Sequence, residues 1–501
     1  MKNRQVILMM TDTTRKDMLG CYNEQMITPN LDALAKEGIK FENTYSCQPV
    51  CGPARSALFT GQFPHSNGMY TNSLALGDNV KTLGQRLSDN GVHCGYIGKY
   101  HLDGADYFGL GKAAEGWDPN YWYDMRCYLE ELTDEERVAS RKPETSYESW
   151  MTEGFTYAAR CVDRALQFLD DNKDTDFFLT LSLDEPHGPC LCPQPFNHMY
   201  DGFKFEYNPN YDDDLTKKPL MQQLWSGEDM YKLGTELNQA SDGLSLFLGC
   251  NSFADYEMGK VIEKINQDFP DALVIYTSDH GEMLGNHKLQ MKNAACYKEI
   301  ANVPMIIRGG EKGKTVTSPT SHIDIVPTIL DYWGIPIPKV LEGKSMLPMI
   351  YDTKVEVNDA VFTEFGRYEV DHDGFGGLQM MRAATTERFK LVLYLTDTDE
   401  FYDLLEDPYE INNLINDPNY REVRDSLHDR LLQHMNETRD PMRGYQWAAR
   451  SWRGDKWPTW ANDGYTRQRE NEEYEPRQLD YDTGLPMEKA VRLKTTNDVK
   501  A

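Results

Sequence analysis

Two apolar runs that each end in a carboxylate constrain the fold of this chain more than any other feature: QVILMMTD at residues 5–12 and ALVIYTSDH at 272–280. A half-exposed strand alternates apolar and polar residues; these runs do not, so both read as strands covered on two faces. Between them the pattern switches to helical spacing. Thr28-Pro29 marks a helix start with Thr28 as N-cap, Leu31, Leu34 and Ala35 form its apolar face, and Gly38 stops it. A short helix is predicted around Leu83 and Leu87, a strand over 93–97, another over FFLTLSL (177–183), and a long helix through Leu248, Phe253, Val261, Ile262 and Ile265. Helices alternating with two-faced strands predict an α/β fold, a large and mostly parallel sheet sandwiched by helices. Ligands of such sheets sit beyond the carboxyl ends of the strands, which is where Asp12, Asp279 and His280 fall.

Residues 103–170 and 188–240 are rich in Tyr, Trp, Asp, Asn and Pro, and are expected as insertions that wall a pocket. After about residue 355, shorter strand candidates (AVFTEF, FKLVLYL) precede a polar helix near 420–436. The expected division is a large domain over 1–355, a smaller C-terminal α+β domain over 356–440, and a tail over 441–501. In the tail Trp447, Trp452, Trp457 and Trp460 crowd with Arg443, Arg450 and Arg453. Such aromatics are expected to pack on the chain's own body or on a second copy in a homo-oligomer.

The 501 residues carry a formal charge of −28, which repels nucleic acid and anionic membrane surfaces over most of the protein. A site for an anion must therefore gather cations locally. No run of eighteen apolar residues occurs, so no membrane span is predicted. The start, MKNRQVILMMTD, lacks the length and cleavage site of a signal peptide, and a cytoplasmic protein is expected. The ten cysteines have no disulfide-like spacing and are expected to be reduced; Cys190 and Cys192 lack the second ligand pair of a metal site.

The densest chemistry lies in CQPVCGPARSALFTG, residues 47–61. Pro53 suits a first helical turn, which puts Cys51 at a helix N-terminus among unpaired N–H groups and Arg55 one turn on, facing the same side. The result is an anion site with a nucleophile-bearing residue at its mouth, and a cysteine there could act directly as a low-pKa thiolate. Cys47, outside the C-x-P-x-R string, reads as a structural thiol.

The string C-x-P-x-R followed by Leu-Phe-Thr-Gly resembles the signature of the type I sulfatases, members of the alkaline phosphatase-like superfamily. The resemblance continues through DMLGCYN, TPNLDALAKEGIKFENTY, GKYHL (98–102), DEPHGP, SDHGE (278–282), HKLQMKNAACYKE, SHIDIVPTILDYWGI, LEGKSMLP and FYDLLEDPYEINNL, and covers about residues 5–435. It implies an alkaline phosphatase-like fold and an enzyme that cleaves a sulfate monoester, most readily one on a sulfated saccharide that the Tyr- and Trp-rich insertions could stack on. It further implies that Cys51 is oxidised to formylglycine by a dedicated maturation enzyme, and that the hydrate is the nucleophile. Asp12, residue 51, Asp279 and His280 would hold a divalent metal, with calcium suited to the hard oxygen ligands and manganese or magnesium as alternatives. Lys99 and Lys292 would bind sulfate oxygens, Arg55 would hold the nucleophile, His101 would contact its hydroxyl and act as a base, and His187 would lie at the leaving-group oxygen. One departure stands out. Many members carry two successive acids in the first metal motif and an asparagine in the second, whereas this chain has Asp12-Thr13 and Asp279-His280. In that respect it resembles relatives that hydrolyse phosphonate monoesters and phosphodiesters, which makes such a hydrolase the alternative expectation; a non-catalytic binding protein is a third.

Overall fold

The computed structural model describes residues 3–104, 107–203, 208–226, 242–369, 378–454, 479 and 484–486. Nine strands form the larger sheet: β1 (Gln5–Thr11), β2 (Ile39–Tyr45), β3 (His93–Gly98), β4 (Trp122–Tyr123), β5 (Phe177–Ser182), β6 (Leu273–Ser278), β7 (Asn302–Arg308), β8 (Lys314–Val316) and β9 (Thr320–Ser321). Their order is β4-β3-β5-β1-β6-β7-β2-β8, with β9 also paired to β2. Every pairing is parallel except those of β7 with β6 and β2, so the sheet is mostly parallel and mixed, as expected.

The absence of alternation in β1 has a direct cause. Ile7 and Met9 pack on one face with the helices Pro29–Glu37, Tyr157–Asp171 and Asp242–Asp268. Val6, Leu8 and Met10 pack on the other with the helices Cys51–Thr60, Leu83–Ser88 and Ile325–Trp333. Both faces are covered, so every residue of the strand is apolar or buried. The register aligns the strand ends: Met10 pairs with Ser182 and with Thr277, and Gly98 pairs with Ser182. Asp12, Lys99, Asp184 and Asp279 therefore leave the sheet along one edge.

Three sequence expectations are corrected. Thr28 precedes its helix but does not cap it; its hydroxyl accepts the Gly20 N–H at 2.7 Å and donates to Asp32 at 3.1 Å, tying the preceding loop to the helix. The stretch 103–170 is not only pocket wall. It contains β4 and the helix Tyr157–Asp171, whose Ala158, Val162, Ala165, Phe168 and Leu169 belong to the core. The helix start there is marked by Thr156, which accepts the Ala159 N–H, a cap signal the Tyr-rich surroundings obscured. The C-terminal sheet has four antiparallel strands, β10 (Val361–Arg367), β11 (Leu378–Thr385), β12 (Phe389–Tyr394) and β13 (Glu400–Asp403), of which β11 and β13 were not anticipated. The helix Arg421–Glu437 accompanies this sheet and shares a core cluster with it.

The tail begins by packing on the chain's own body. Trp447 is buried, Trp452 donates its indole N–H to Asp399 at 2.8 Å, and Arg450 pairs with the same carboxylate. Trp457 and Trp460 lie outside the described residues. All ten cysteines are free, and among the described residues no helix is long and apolar enough to cross a membrane.

The two sheets meet at the segment leading into the Cys51 helix. Glu364 N–H on β10 donates to the Cys47 carbonyl at 2.7 Å, Thr363 donates to Ser46 O at 3.0 Å, and His65 pairs with the Glu364 carboxylate. Burial disfavours a charged His65, but the Glu364 charge and hydrogen bond outweigh it and raise its pKa to about 9. The unfolded imidazole titrates near 6.5. The pair's full contribution, up to about 3 kcal/mol, is present below that pH. It falls as pH rises and is gone above the folded value. Denaturant unfolding at a series of pH values should show this loss between about pH 6.5 and 9, and His65→Gln should flatten it.

Candidate active site

The helix Cys51–Thr60 starts where Val50 leaves an extended conformation, and it ends at Gly61, whose φ of 69° is left-handed. All ten of its residues are buried. The expected cradle of free N–H groups is partly used: Gly52 N–H donates to Asn72 Oδ1 at 2.8 Å. A Cβ at Gly52 would come 2.7 Å from the Met69 methyl, so a larger residue there would have to displace that flexible side chain. The charge of the site comes mainly from side chains.

Arg55 is the hub. Its Nε donates to Asp279 Oδ2 at 2.9 Å and its Nη2 to Asp12 Oδ2 at 3.1 Å, while Nη1 donates to the Lys99 carbonyl at 2.7 Å and to Ser182 Oγ at 2.8 Å. One fully buried guanidinium thus joins the ends of β1, β3, β5 and β6. The turn that brings Lys99 there requires Gly98, with φ of 118° and a position where a Cβ would lie 1.9 Å from Ser182 O.

Asp12, Cys51, Asp279 and His280 converge, with one ligand-type atom from each lying within 4.8 Å of the others. His280 Nε2 is 3.1 Å from Cys51 Sγ and 3.8 Å from both Asp12 Oδ1 and Asp279 Oδ1. His280 Nδ1 donates to the Gly281 carbonyl at 2.8 Å, so that when the imidazole is neutral its Nε2 lone pair faces the cluster, the tautomer a metal ligand needs. Burial and the neighbouring Asp12 push the Asp279 carboxyl up to about 6 against the pull of His280 and Arg55. Asp279 is therefore under-compensated, whereas Lys99 and Arg55 hold the Asp12 carboxyl well below the usual carboxylate range despite its burial. Two carboxylates, an imidazole lone pair and the group at position 51, spaced around a common centre, fit a divalent cation. Thr13 holds this geometry: its hydroxyl donates to Asp12 Oδ1 at 2.6 Å and its N–H to Asp279 Oδ1 at 3.2 Å.

The remaining candidates surround Cys51. Lys99 Nζ lies 2.7 Å from Asp12 Oδ2 and 3.1 Å from Asp184 Oδ1. Burial disfavours its ammonium, but the two carboxylates overcome this and raise its pKa. Lys292 is buried and stays protonated for a comparable reason, with burial outweighed by Cys51 and Tyr368. Its Nζ sits 5.8 Å from the Tyr368 ring centre, and among the described residues no carboxylate is within ion-pair distance of it. The Cys51 thiol, which burial and Asp12 push up, is pulled well below its ordinary range by Lys292, Lys99 and His280. Burial, then Lys99 and Arg55, keep His101 neutral, and its buried Nδ1 has no hydrogen-bond partner among the described residues. His187 is half-exposed at the rim, its Nδ1 3.0 Å from Gly188 O and 3.1 Å from the Tyr107 hydroxyl.

Sequence reasoning passed over Asp184, Tyr107, Asn72 and Tyr368. Asp184 had a signal, standing in DEPHGP three residues before His187. Tyr107 and Tyr368 had none, being single tyrosines in irregular segments.

The sulfatase family model matches residues 4–335, and that described as N-sulphoglucosamine sulphohydrolase, C-terminal, matches residues 285–437. The chain is 42% identical over 499 residues to an uncharacterized sulfatase, YidJ, of Escherichia coli strain K12, covering 97% of each chain. Among solved structures it resembles, with a TM-score of 0.72 and 20% identity, a protein in complex with its substrate D-glucosamine-2-N,6-O-disulfate, covering 88% of this chain and 99% of that one. With a TM-score of 0.72 and 23% identity it also resembles the phosphonate monoester hydrolase of Agrobacterium radiobacter, covering 87% and 96%. These two likenesses establish the alkaline phosphatase-like fold.

Removing the hub tests its structural role. Arg55→Met leaves Asp12 and Asp279 buried without their shared cation, and should lower stability by about 3–5 kcal/mol in denaturant unfolding.

Proposed function

The chain belongs to the sulfatase family, and on that premise we propose that it hydrolyses sulfate monoesters of a saccharide, with position 51 converted to formylglycine and a divalent cation beside it. It is a sulfuric ester hydrolase; the substrate class, the modification and the cation are the proposed part. The observation that carries the reading is the placement of residue 51 at 3.1 Å from His280 Nε2 and 3.8 Å from Asp12 Oδ1, with the buried ammonium groups of Lys99 and Lys292 close enough to pull its titration down. The saccharide is supported by the disulfated glucosamine bound to the structural relative and by the aromatic-rich segments flanking the site.

A cation held by Asp12, Asp279, His280 and residue 51 would supply charge that activates a hydroxyl and polarises the sulfuryl group, calcium suiting the carboxylate ligands, with manganese or magnesium as alternatives. A hydrated aldehyde at position 51 would supply one hydroxyl as the nucleophile toward sulfur and a second whose proton loss would release sulfate. The chain's own side chains do the rest. Lys99 and Lys292 offset charge on the sulfuryl oxygens from fixed, buried positions, where a charge is worth far more than in water. Arg55 holds the two acids and thereby the height of the site above the strand ends. His101, kept neutral chiefly by burial and hydrogen-bonded to residue 51, accepts a proton from the residue-51 hydroxyl. His187, at the rim, gives a proton to the departing alcohol. Formation of the nucleophile requires a maturation enzyme acting on Cys51.

Hydrolysis of phosphonate monoesters or phosphodiesters is the second reading, favoured by Thr13 in place of a second acid and by the likeness to the Agrobacterium enzyme.

Two measurements test these statements. Cys51→Ala should lower turnover by at least about 10³-fold with the fold retained, and peptide mass spectrometry of protein from the native host should show position 51 lighter than cysteine; full turnover by the alanine variant would remove residue 51 as nucleophile. Comparison of kcat/KM for an aryl sulfate and an aryl phosphodiester should favour the sulfate, and the reverse order would establish the second reading.

A further inference from the structure

We propose that Tyr107 is a positioning residue for the proton donor: its hydroxyl, anchored by Asp184, holds His187 through Nδ1 so that Nε2 faces the leaving-group oxygen. The proposal rests on the reading of His187 given above.

The Tyr107 hydroxyl has one hydrogen, and it goes to Asp184 Oδ1. Toward His187 Nδ1, 3.1 Å away, the same oxygen can only accept. The Gly188 carbonyl, 3.0 Å from the same nitrogen, is also an acceptor. Both neighbours demand a proton on Nδ1, so the imidazole is fixed with N–H toward Tyr107 and with Nε2 as its exchanging nitrogen. Asp184 is itself held by Lys99, 3.1 Å from the same oxygen. Burial and the Asp184 charge keep the phenol protonated, so the group acts as a neutral hydroxyl. The ring is fixed independently of that hydroxyl: it lies 4.1 Å below Lys99 Nζ and meets His101 edge-on at 5.6 Å between centroids.

The chain Lys99–Asp184–Tyr107–His187 thus connects the group that binds the sulfuryl oxygens with the group that meets the leaving alcohol. In the step served, the sulfur–oxygen bond to the alcohol breaks and its electron pair stays on that oxygen. The His187 imidazolium gives it the Nε2 proton and remains as neutral imidazole with Nδ1–H on Tyr107 and Gly188; solvent at the half-exposed ring reprotonates Nε2. Proton donation matters most when the alcohol is a poor leaving group, as sugar hydroxyls are, and least for a nitrophenol.

The experiment uses the full-length enzyme with conversion at position 51 verified by mass spectrometry in every variant. Tyr107→Phe keeps the ring against Lys99 and His101 and removes only the hydroxyl. It should lose about 10- to 100-fold more kcat/KM on an alkyl or sugar sulfate than on 4-nitrophenyl sulfate. His187→Ala should show the same substrate-dependent loss, and the double variant should be no worse than His187→Ala alone. An equal loss by Tyr107→Phe on both substrates, or additive losses in the double variant, would overturn the link between Tyr107 and His187 while leaving His187 as donor. Equal losses by His187→Ala on both substrates would overturn the assignment of His187 itself, and the proposal with it.

Discussion

The site depends on one buried guanidinium. Arg55 is fully enclosed, and each of its hydrogen bonds ends on a different strand terminus or the residue just past it. A charge in such a place is tolerated only when its partners are complete. The parallel register supplies them by bringing β1, β3, β5 and β6 to an end at one level. The order of causation runs from sheet to site: two-faced strands set the register, the register aligns two carboxylates, a carbonyl and a hydroxyl, and a planar five-donor group locks them together. Lysine, with a single ammonium, could not span that set.

Around this hub the protein reverses its own electrostatics. The chain as a whole is strongly acidic, yet the ammonium and guanidinium groups of Arg55, Lys99 and Lys292 are buried beside residue 51. Lys99 and Arg55 are balanced by Asp12, Asp184 and Asp279, whereas Lys292 faces the cysteine and an aromatic ring. The local field therefore points its positive end at residue 51, and an anion that overcomes the repulsion of the surface meets cations that have no water to share it with.

Much of the fold was legible because burial on two faces erases alternation, and that signature is hard to mistake in QVILMMTD and LVIYTS. The residues near Cys51 were legible where they stand at strand ends or inside a signature. What escaped was set by contacts distant in sequence. Thr28 looks like a cap, but its hydroxyl is taken by Gly20 and Asp32. The helix Tyr157–Asp171 was submerged in a stretch whose composition suggested loops. The short β13, EFYD, offers too few residues for a period. Tyr107 acquires its meaning only when β3 and the loop after β5 lie side by side, since Lys99, Asp184 and His187 come from both.

The meeting of the two sheets at Ser46 and Cys47 has a consequence in time. Strand β10 clasps the backbone just ahead of the helix that carries residue 51, and that residue is 2% exposed once the clasp is made. On the reading proposed above, a maturation enzyme would have to reach the side chain before the clasp closes. Some three hundred residues of synthesis separate the emergence of Cys51 from that of Val361–Arg367. On that reading the C-terminal sheet would act as a clock, its late arrival setting the time available for chemistry at position 51.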